Sequence, residues 1–403
     1  MAVVLCLNSG SNSLKFDVIE IDSRAKRASE GVRFLTGSID DIGKKTTLEV
    51  LIEGKKPLSK KLKSSDIAAA TESVFDALEQ LKENSVPALS RTELVAVRVV
   101  HGGDAFSSAV LLDDRVVREI EAHSELAPLH NPNALKVIES IRRKKPALSI
   151  AIAFDTAFHH SLPERAWRYP LNVELADRYK IRKYGFHGIS HRYLLEQFAY
   201  LSGRPESESS IVTMHLEGGS SVTAIENGRS IETSMGFTPL EGLMMGTRSG
   251  SIDPAILPFL MHKENLSADE VLKIFEKKSG LLGVSGVSQD TRILRQRTEA
   301  ASKLALEMFG YRVRQTVGAY LAVLGDAQAI VFGGGIGENT PEIRSFVCGG
   351  LKQWGIELDS DLNDSTLSGD VCISTAKSSR EVWVIHSDEG MQLAYECVSL
   401  TSS

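Results

Sequence analysis

The 403-residue chain has four cysteines, Cys6, Cys348, Cys372 and Cys397, and no C-x-x-C pair among them. That scatter argues against a disulfide framework and a zinc site, and it fits a reducing compartment. No apolar run approaches the roughly 18 residues of a membrane span. The apolar start, Met1 to Leu7, has no basic flank and stops at Asn8, so it reads as a buried strand rather than a signal peptide. Positive charge is not in excess: 46 Lys and Arg against 52 Asp and Glu leave a net charge of −6. A mildly acidic surface has no general attraction for nucleic acid or an anionic membrane, so any anion site must be local. Also missing are the G-x-x-x-x-G-K-[ST] loop and the protein-kinase motif set. What is present is 42% hydrophobic and 24% charged, the balance of a globular chain rather than a disordered one. The length is too great for one ordinary core, and two domains are expected. These features point to a cytoplasmic α/β protein, an enzyme by expectation.

The first pattern along the chain is strand, turn, strand: an apolar run Val3 to Leu7, a turn signal Asn8 to Ser13, and an alternating run Leu14 to Ile21. It returns about two hundred residues later, with Ser210 to Met214, the turn His215 to Ser221, and Val222 to Ile225, as an internal duplication would. A third Gly-rich segment, Gly333 to Asn339, follows the strand-like Ala329 to Phe332. After it Thr340-Pro341-Glu342 opens a helix, with Thr as cap and Pro at the first position. Spaced Leu, Met, Phe and Val predict a helix over Ala300 to Leu324. Lys44-Lys45 and Lys55 to Lys63 read as solvated loops or edges. Strands alternating with helices indicate two similar α/β lobes. The halves' lengths place them at 1–155 and 156–390, with a helical C-terminal segment, 391–403, packing back on the first.

Gly-rich turns at strand ends present backbone N–H groups to anions. Each alone reads as an ordinary hairpin turn, whereas three in one chain point to a nucleotide's phosphates. A second signal is polar residues set in unusual strings. Arg98 lies in an apolar strand before Val99-Val100-His101-Gly102-Gly103, and His130 lies between Pro128 and Pro132. Asp155 follows the strand Ile150 to Phe154. His187 and His191 sit in Tyr184-Gly185-Phe186-His187-Gly188-Ile189-Ser190-His191, and Arg248 in a small-residue loop, Gly246 to Gly250. Buried charges need partners or a ligand. Taken singly, Arg98 reads as a structural ion pair, His130 as a satisfied loop histidine, His191 as a cap or packing residue and Asp155 as a loop cap. Taken as a set, two arginines, a histidine, an acid and phosphate turns are what phosphoryl transfer requires, because the moving group spreads negative charge over its equatorial oxygens. A carboxylate acceptor also needs a cation against phosphate repulsion, and the arginine fork suits it.

Read in order, the strings Asn8-Ser9-Gly10-Ser11, Arg98 to Gly103, Phe154-Asp155-Thr156-Ala157-Phe158-His159, Tyr184 to Gly188, Thr233 to Gly250, Asp290-Thr291-Arg292 and Gly335-Ile336-Gly337-Glu338-Asn339 resemble the acetate kinase family over nearly the whole chain. The resemblance implies an α/β fold of two similar lobes, of the acetate and sugar kinase/heat-shock cognate/actin type, with ribonuclease H-like duplicated domains and a central cleft. It implies reversible transfer of the ATP γ-phosphoryl group to acetate, giving acetyl phosphate and ADP, with Mg²⁺ or Mn²⁺, by a homodimer that engages neither nucleic acid nor membrane. By the same resemblance, Arg98 and Arg248 grip the carboxylate and the equatorial oxygens, His187 hydrogen-bonds the moving phosphoryl group, and Asp155 orients acceptor and metal. Asn8 and Glu389 help hold Mg²⁺, and Lys15 approaches the phosphates. A strong base is not required, since a carboxylate has no proton to lose near neutral pH. The turn His215-Leu216-Glu217-Gly218-Gly219, the segment Asp290 to Arg292 and the loop Gly335, Ile336, Gly337, Glu338 and Asn339 bind nucleotide. Val100, Leu129, Phe186 and Pro239 line the acyl pocket with His130 nearby, and Val100 favours acetate over propionate.

Five positions depart from the family pattern. Its second phosphate turn usually reads His-Leu-Gly-Asn-Gly; here Gly218 removes an amide, and Glu217 adds a negative charge. Glu217 either points to solvent, or repels a polyphosphate, or marks another donor such as pyrophosphate. Ser251 stands where the family has aspartate, Asn12 replaces a serine, and Gly390 replaces a second acid after Glu389. The alternatives are a propionate or other short-chain acyl kinase of this fold, or a non-enzymatic ATP-dependent assembly protein, which has no use for Arg98, Arg248 and Asp155.

Overall fold

The structure is a computed structural model that describes residues 1–84, 91–365 and 367–402. The chain divides into two compact units: Met1–His160 with Gly188–Tyr193 and Asp388–Ser403, and Ser161–His187 with Leu194–Ser387.

In the first unit β1 (Ala2–Ser9), β2 (Leu14–Ile21), β3 (Val32–Asp40), β4 (Thr47–Ile52), β5 (Leu58–Lys61), β6 (Thr92–Val99), β7 (Val110–Leu111) and β8 (Ser149–Phe154) form one sheet in the order β5-β4-β3-β2-β1-β6-β8-β7. β1 runs antiparallel to β2 and parallel to β6, and β6 is parallel to β8. Its residues are buried on both faces, as a central strand covered by helices on both sides must be. Val3, Leu5 and Leu7 face a cluster that includes Val74 of helix Ile67–Asn84 and Val137 and Ile141 of helix Asn131–Lys144. Val4 and Cys6, one residue out of phase, face Leu393, Ala394, Cys397 and Val398 of helix Glu389–Ser399. The lysines Lys60 and Lys61 stand on β5, an exposed edge strand, where charge discourages pairing with another sheet.

In the second unit β9 (Ile211–Leu216), β10 (Ser220–Glu226), β11 (Arg229–Thr233), β12 (Ala329–Gly333), β13 (Val371–Cys372) and β14 (Glu381–Val384) form a sheet in the order β11-β10-β9-β12-β14-β13. Helix Ala300–Leu324, with the bounds its periodicity predicts, brings Phe309, Val313, Val317 and Leu321 at four-residue spacing against Val212, Met214 and Leu216. The order matches β3-β2-β1-β6-β8-β7 of the first sheet strand for strand. Each has an antiparallel meander, two parallel strands and an antiparallel edge strand.

Four local expectations change. Asn8 and Ser9 belong to β1, where Asn8 pairs with Lys15, and the turn is shortened to a loop closed by Gly10 N–H to the Ser13 carbonyl at 2.8 Å. Likewise His215 and Leu216 are strand, and only Glu217 to Gly219 turn, closed by Glu217 N–H to Gly219 O at 3.1 Å. Polar side chains at these ends do not stop the backbone from pairing. The third Gly-rich segment is no turn but a short helix, Gly334–Asn339. Gly334 enters it at φ +76° with a Cβ position only 2.7 Å from Leu216 O, a close approach that glycine alone permits. Pro341 is in the first turn of helix Pro341–Gly349 as expected, but Thr340 makes no side-chain cap bond.

Candidate active-site residues in the two units

In the first unit the polar residues gather at the carboxyl ends of adjacent parallel strands, the usual place for ligands in such sheets. Asn8, next to last in β1, is in register with Arg98, next to last in β6, and Asp155 follows β8. Arg98 forks onto Asp155, with Nε to Oδ1 and Nη2 to Oδ2 both 2.7 Å. Its Nη1 donates to Glu389 Oε2 at 2.9 Å. Asp155 is 1% exposed and Arg98 14% in side-chain terms, so the fork is a shielded, oriented pair. Asn8 Nδ2 donates to the same Glu389 oxygen at 3.3 Å. One cation and two carboxylates leave this cluster with a net charge of −1.

Glu389 opens its helix, and the N-terminal turn is pinned from behind. Asp388 caps Met391 N–H and accepts from Arg33 Nη2 at 2.5 Å, while Arg33 Nε meets Asp17 at 2.8 Å. Burial raises the Asp17 carboxyl above its ordinary value, against the pull of Arg33. Gly390 fits only because it lacks a Cβ, which would stand 2.5 Å from Asp17 Oδ2. Lys15 is exposed on β2. Val100 follows β6 partly buried, Leu129 is exposed, and His130 stands at the start of helix Asn131–Lys144.

In the second unit the turn Glu217–Gly219 is the centre. A Cβ on Gly219 would lie 3.3 Å from His187 Cε1 and Nε2 and 3.5 Å from Arg248 Nη1, so turn, histidine and arginine adjoin. His187 sits at φ +57°, its Nδ1 2.9 Å from Ser221 Oγ and its ring centroid 4.3 Å from that of buried His215. Arg248 donates through Nη1 to the Pro239 carbonyl at 3.1 Å and approaches Met245 Sδ at 3.7 Å. Among the described residues no carboxylate lies within ion-pair distance of it, and burial holds its pKa down, opposed by the more distant Glu276. Gly246 N–H bonds the Gly218 carbonyl at 3.1 Å, tying the Arg248 loop to the turn. Ser251 closes that loop, accepting Gly242 N–H on Oγ and donating its own N–H to the Gly242 carbonyl. Phe186 is buried and Pro239 partly so.

Glu217 is 52% exposed, with Oε2 3.6 Å from His215 Nε2 and Oε1 3.9 Å from the Cβ position of Gly335. It therefore stands between two of the three expected nucleotide segments, its own turn and Gly335 to Asn339. In the helix Gly334–Asn339, Gly335 accepts from Asn339 Nδ2 at 3.0 Å, Ile336 and Gly337 are buried, and Glu338 Oε1 accepts from Ser387 N–H and Oγ. Asp290 caps the turn Thr291–Leu294 and pairs with exposed Arg292, which pulls its carboxyl below the usual range. Thr291 is buried.

Arg344 escaped the sequence reading. It is 1% exposed and donates to the Gly337 and Glu338 carbonyls and to Asn363, closing the C-terminal end of helix Gly334–Asn339. Burial pushes its pKa down. The available signal was an arginine among apolar neighbours, Ile343, Phe346 and Val347, one turn after a Gly-rich segment.

The Acetokinase family profile matches residues 3–395. An acetate kinase of Thermoanaerobacterium thermosaccharolyticum is 42% identical over 404 residues, covering 99% of each chain. The crystal structure of Porphyromonas gingivalis acetate kinase matches all of both chains with a TM-score of 0.91 at 34% identity. A propionate kinase from Francisella tularensis matches 98% of this chain and 99% of its own, with a TM-score of 0.90 at 35% identity. With a profile match over almost its full length and relatives this similar end to end, the chain belongs to the acetate kinase family.

Proposed function

We propose that this chain transfers the γ-phosphoryl group of ATP reversibly to acetate, giving acetyl phosphate and ADP, in a Mg²⁺-dependent reaction. The observation that carries this reading is Arg248, a largely buried guanidinium without a carboxylate partner among the described residues, beside His187 and a glycine turn. A cation kept in that state costs stability unless an anion arrives to meet it. A phosphoryl group supplies one, and its charge is spread over the oxygens that such a donor meets.

Within the second unit, Arg248 and His187 hold the phosphoryl oxygens, with Ser221 fixing the imidazole. The turn His215 to Gly219 and the segments Asp290 to Arg292 and Gly335 to Asn339 take the nucleotide. Within the first unit, Arg98 holds the acceptor carboxylate, and Asp155 fixes the plane of its fork. Asp155 acts here by orienting Arg98, since both its oxygens are engaged there.

The residues present fit a magnesium ion. Asn8 and Glu389 offer hard oxygens in a cluster of net negative charge. No group of three His, Cys, Asp or Glu among the described residues forms a protein cage for a metal. Mg²⁺ is commonly held by one or two protein oxygens, waters and substrate phosphates. When bound, it neutralises charge on the phosphates; Mn²⁺ suits the same donors. The family reading extends to a homodimer in the cytoplasm. No helix among the described residues is long and apolar enough to cross a membrane.

A propionate-preferring enzyme is the second reading, favoured by the likeness to the Francisella structure. Val100 supports acetate, with modest discrimination, since one methylene in a small pocket is worth roughly 1–3 kcal/mol. Trapping the acyl phosphate as its hydroxamate, with acetate and propionate as acceptors, tests both. Acetate with the higher kcat/KM is expected, and Arg248→Ala should lose about 10²–10³ in kcat while still binding nucleotide. Full kcat in that variant would overturn the assigned role.

A further inference from the structure

Gly236 is a crossing point in the second unit. Its carbonyl accepts N–H bonds from Tyr184 at 3.1 Å and Gly185 at 3.4 Å, the segment that leads into Phe186 and His187. Over its Cα the Tyr169 phenol donates to Glu241 Oε2. A Cβ on Gly236 would stand 1.7 Å from that carboxylate oxygen and 2.1 Å from the phenol oxygen, so only glycine lets the bond pass. The same phenol oxygen accepts Phe237 N–H at 2.8 Å. Tyr169 thereby ties together the two ends of the arc 237–241. In the middle of that arc stands Pro239, whose carbonyl is the oxygen acceptor of Arg248 Nη1.

We propose that Tyr169 and Glu241 form a latch that sets the position of Arg248 through the Pro239 carbonyl, making them positioning residues for phosphoryl transfer. The inference rests on the role given to Arg248 above. Among the described residues Arg248 has no carboxylate within ion-pair distance to fix its fork, so its aim depends on where this one carbonyl stands. The arc is short, and it carries no regular secondary structure of its own to hold its shape. Burial, then the nearby Glu241 carboxylate, pushes the phenol pKa far up, so Tyr169 remains a donor throughout the pH range of activity.

The test uses the full chain with Tyr169→Phe, Glu241→Leu and Glu241→Gln. Misplacing a catalytic group by about an ångström costs up to ~10²-fold. Tyr169→Phe and Glu241→Leu should lower kcat by roughly 10- to 100-fold with the Kd for ATP unchanged. Glu241→Gln, whose amide oxygen still accepts from the phenol, should restore most of the loss. In an Arg248→Ala background, Tyr169→Phe should take away nothing more, because the two act as one unit. Wild-type kcat in Tyr169→Phe beside a crippled Arg248→Ala overturns the latch and leaves the proposed reaction standing. The same result follows if Tyr169→Phe weakens ATP binding as much as it slows turnover. A fully active Arg248→Ala overturns both.

Discussion

Arg98 spends three N–H donors on two carboxylates, and this reconciles two readings of one residue. As an isolated arginine in an apolar strand it looks like a structural ion pair; in its motif it looks like a substrate grip. The fork with Asp155 makes it a structural pair whose direction is fixed, which a grip requires. The sequence places both residues at strand ends but cannot reveal that they meet, because the pairing depends on β6 and β8 being sheet neighbours. Glu217 is the opposite case: its charge and its place in the turn proposed for phosphates are evident in the sequence, and only its direction was open. Its carboxylate stands between His215 and Gly335. If phosphates bind at this turn as proposed, a charge half exposed to water there repels them by about 1 kcal/mol after screening. Glu217→Gln should therefore lower the KM for ATP by about fivefold, with a larger change at low ionic strength, while adenosine binding stays the same. Steady-state kinetics at two salt concentrations check this, and a KM that is unchanged or higher would place the carboxylate away from the phosphates.

At the scale of elements, several strands followed from apolar runs, β2 from alternation and the long helix from spaced apolar residues, since those patterns are imposed by the core each element covers. The boundaries shifted where polar residues continued a strand, as at Asn8 and His215, because backbone pairing there is set by the neighbouring strand. The helix Gly334–Asn339 was hidden for a related reason. Glycine is a poor helix former, and the segment is held by outside partners, Ser387 at one end and Arg344 at the other. Helix Glu389–Ser399 shows how an element end positions a side chain. The line Asp17–Arg33–Asp388 clamps its first turn, and Gly390 leaves room for that clamp. Gly390→Ala should force the clamp open, costing about 1–3 kcal/mol of stability as overpacking does. It should also shift Glu389 and raise the Mg²⁺ concentration needed for half-maximal rate. Thermal unfolding and a Mg²⁺ titration together measure this. A variant with wild-type melting and wild-type Mg²⁺ dependence would show that the turn is not held by the clamp.

At the scale of the whole molecule, duplication was visible in the sequence only as two similar hairpin signals, yet the two sheets repeat the same order over six strands. Most of that likeness is invisible in the residues because each core selects apolar character, not identity, and strand order depends on long-range pairing. The chain also returns at its end to complete the first unit. Helix Glu389–Ser399 covers a face of the first sheet with Leu393, Ala394, Cys397 and Val398, and it brings Glu389 to Arg98. Ending the chain at Ser387 would expose that face. Fully burying one large apolar side chain is worth about 1.5–3 kcal/mol, so losing Leu393 and Val398 with their smaller neighbours removes on the order of 5 kcal/mol. That is comparable to the whole stability of many domains. The loss falls on one core, since the second unit's cluster contains none of these residues. A chain of residues 1–387 should therefore show rapid proteolysis within 1–160, while a fragment spanning about 161–387 persists. Mass spectrometry of a limited digest, beside the full chain under the same protease, reads this directly. Equal resistance in both segments would mean that the first sheet does not need the returning helix, whereas uniform digestion would mean that the second core does not stand without the first.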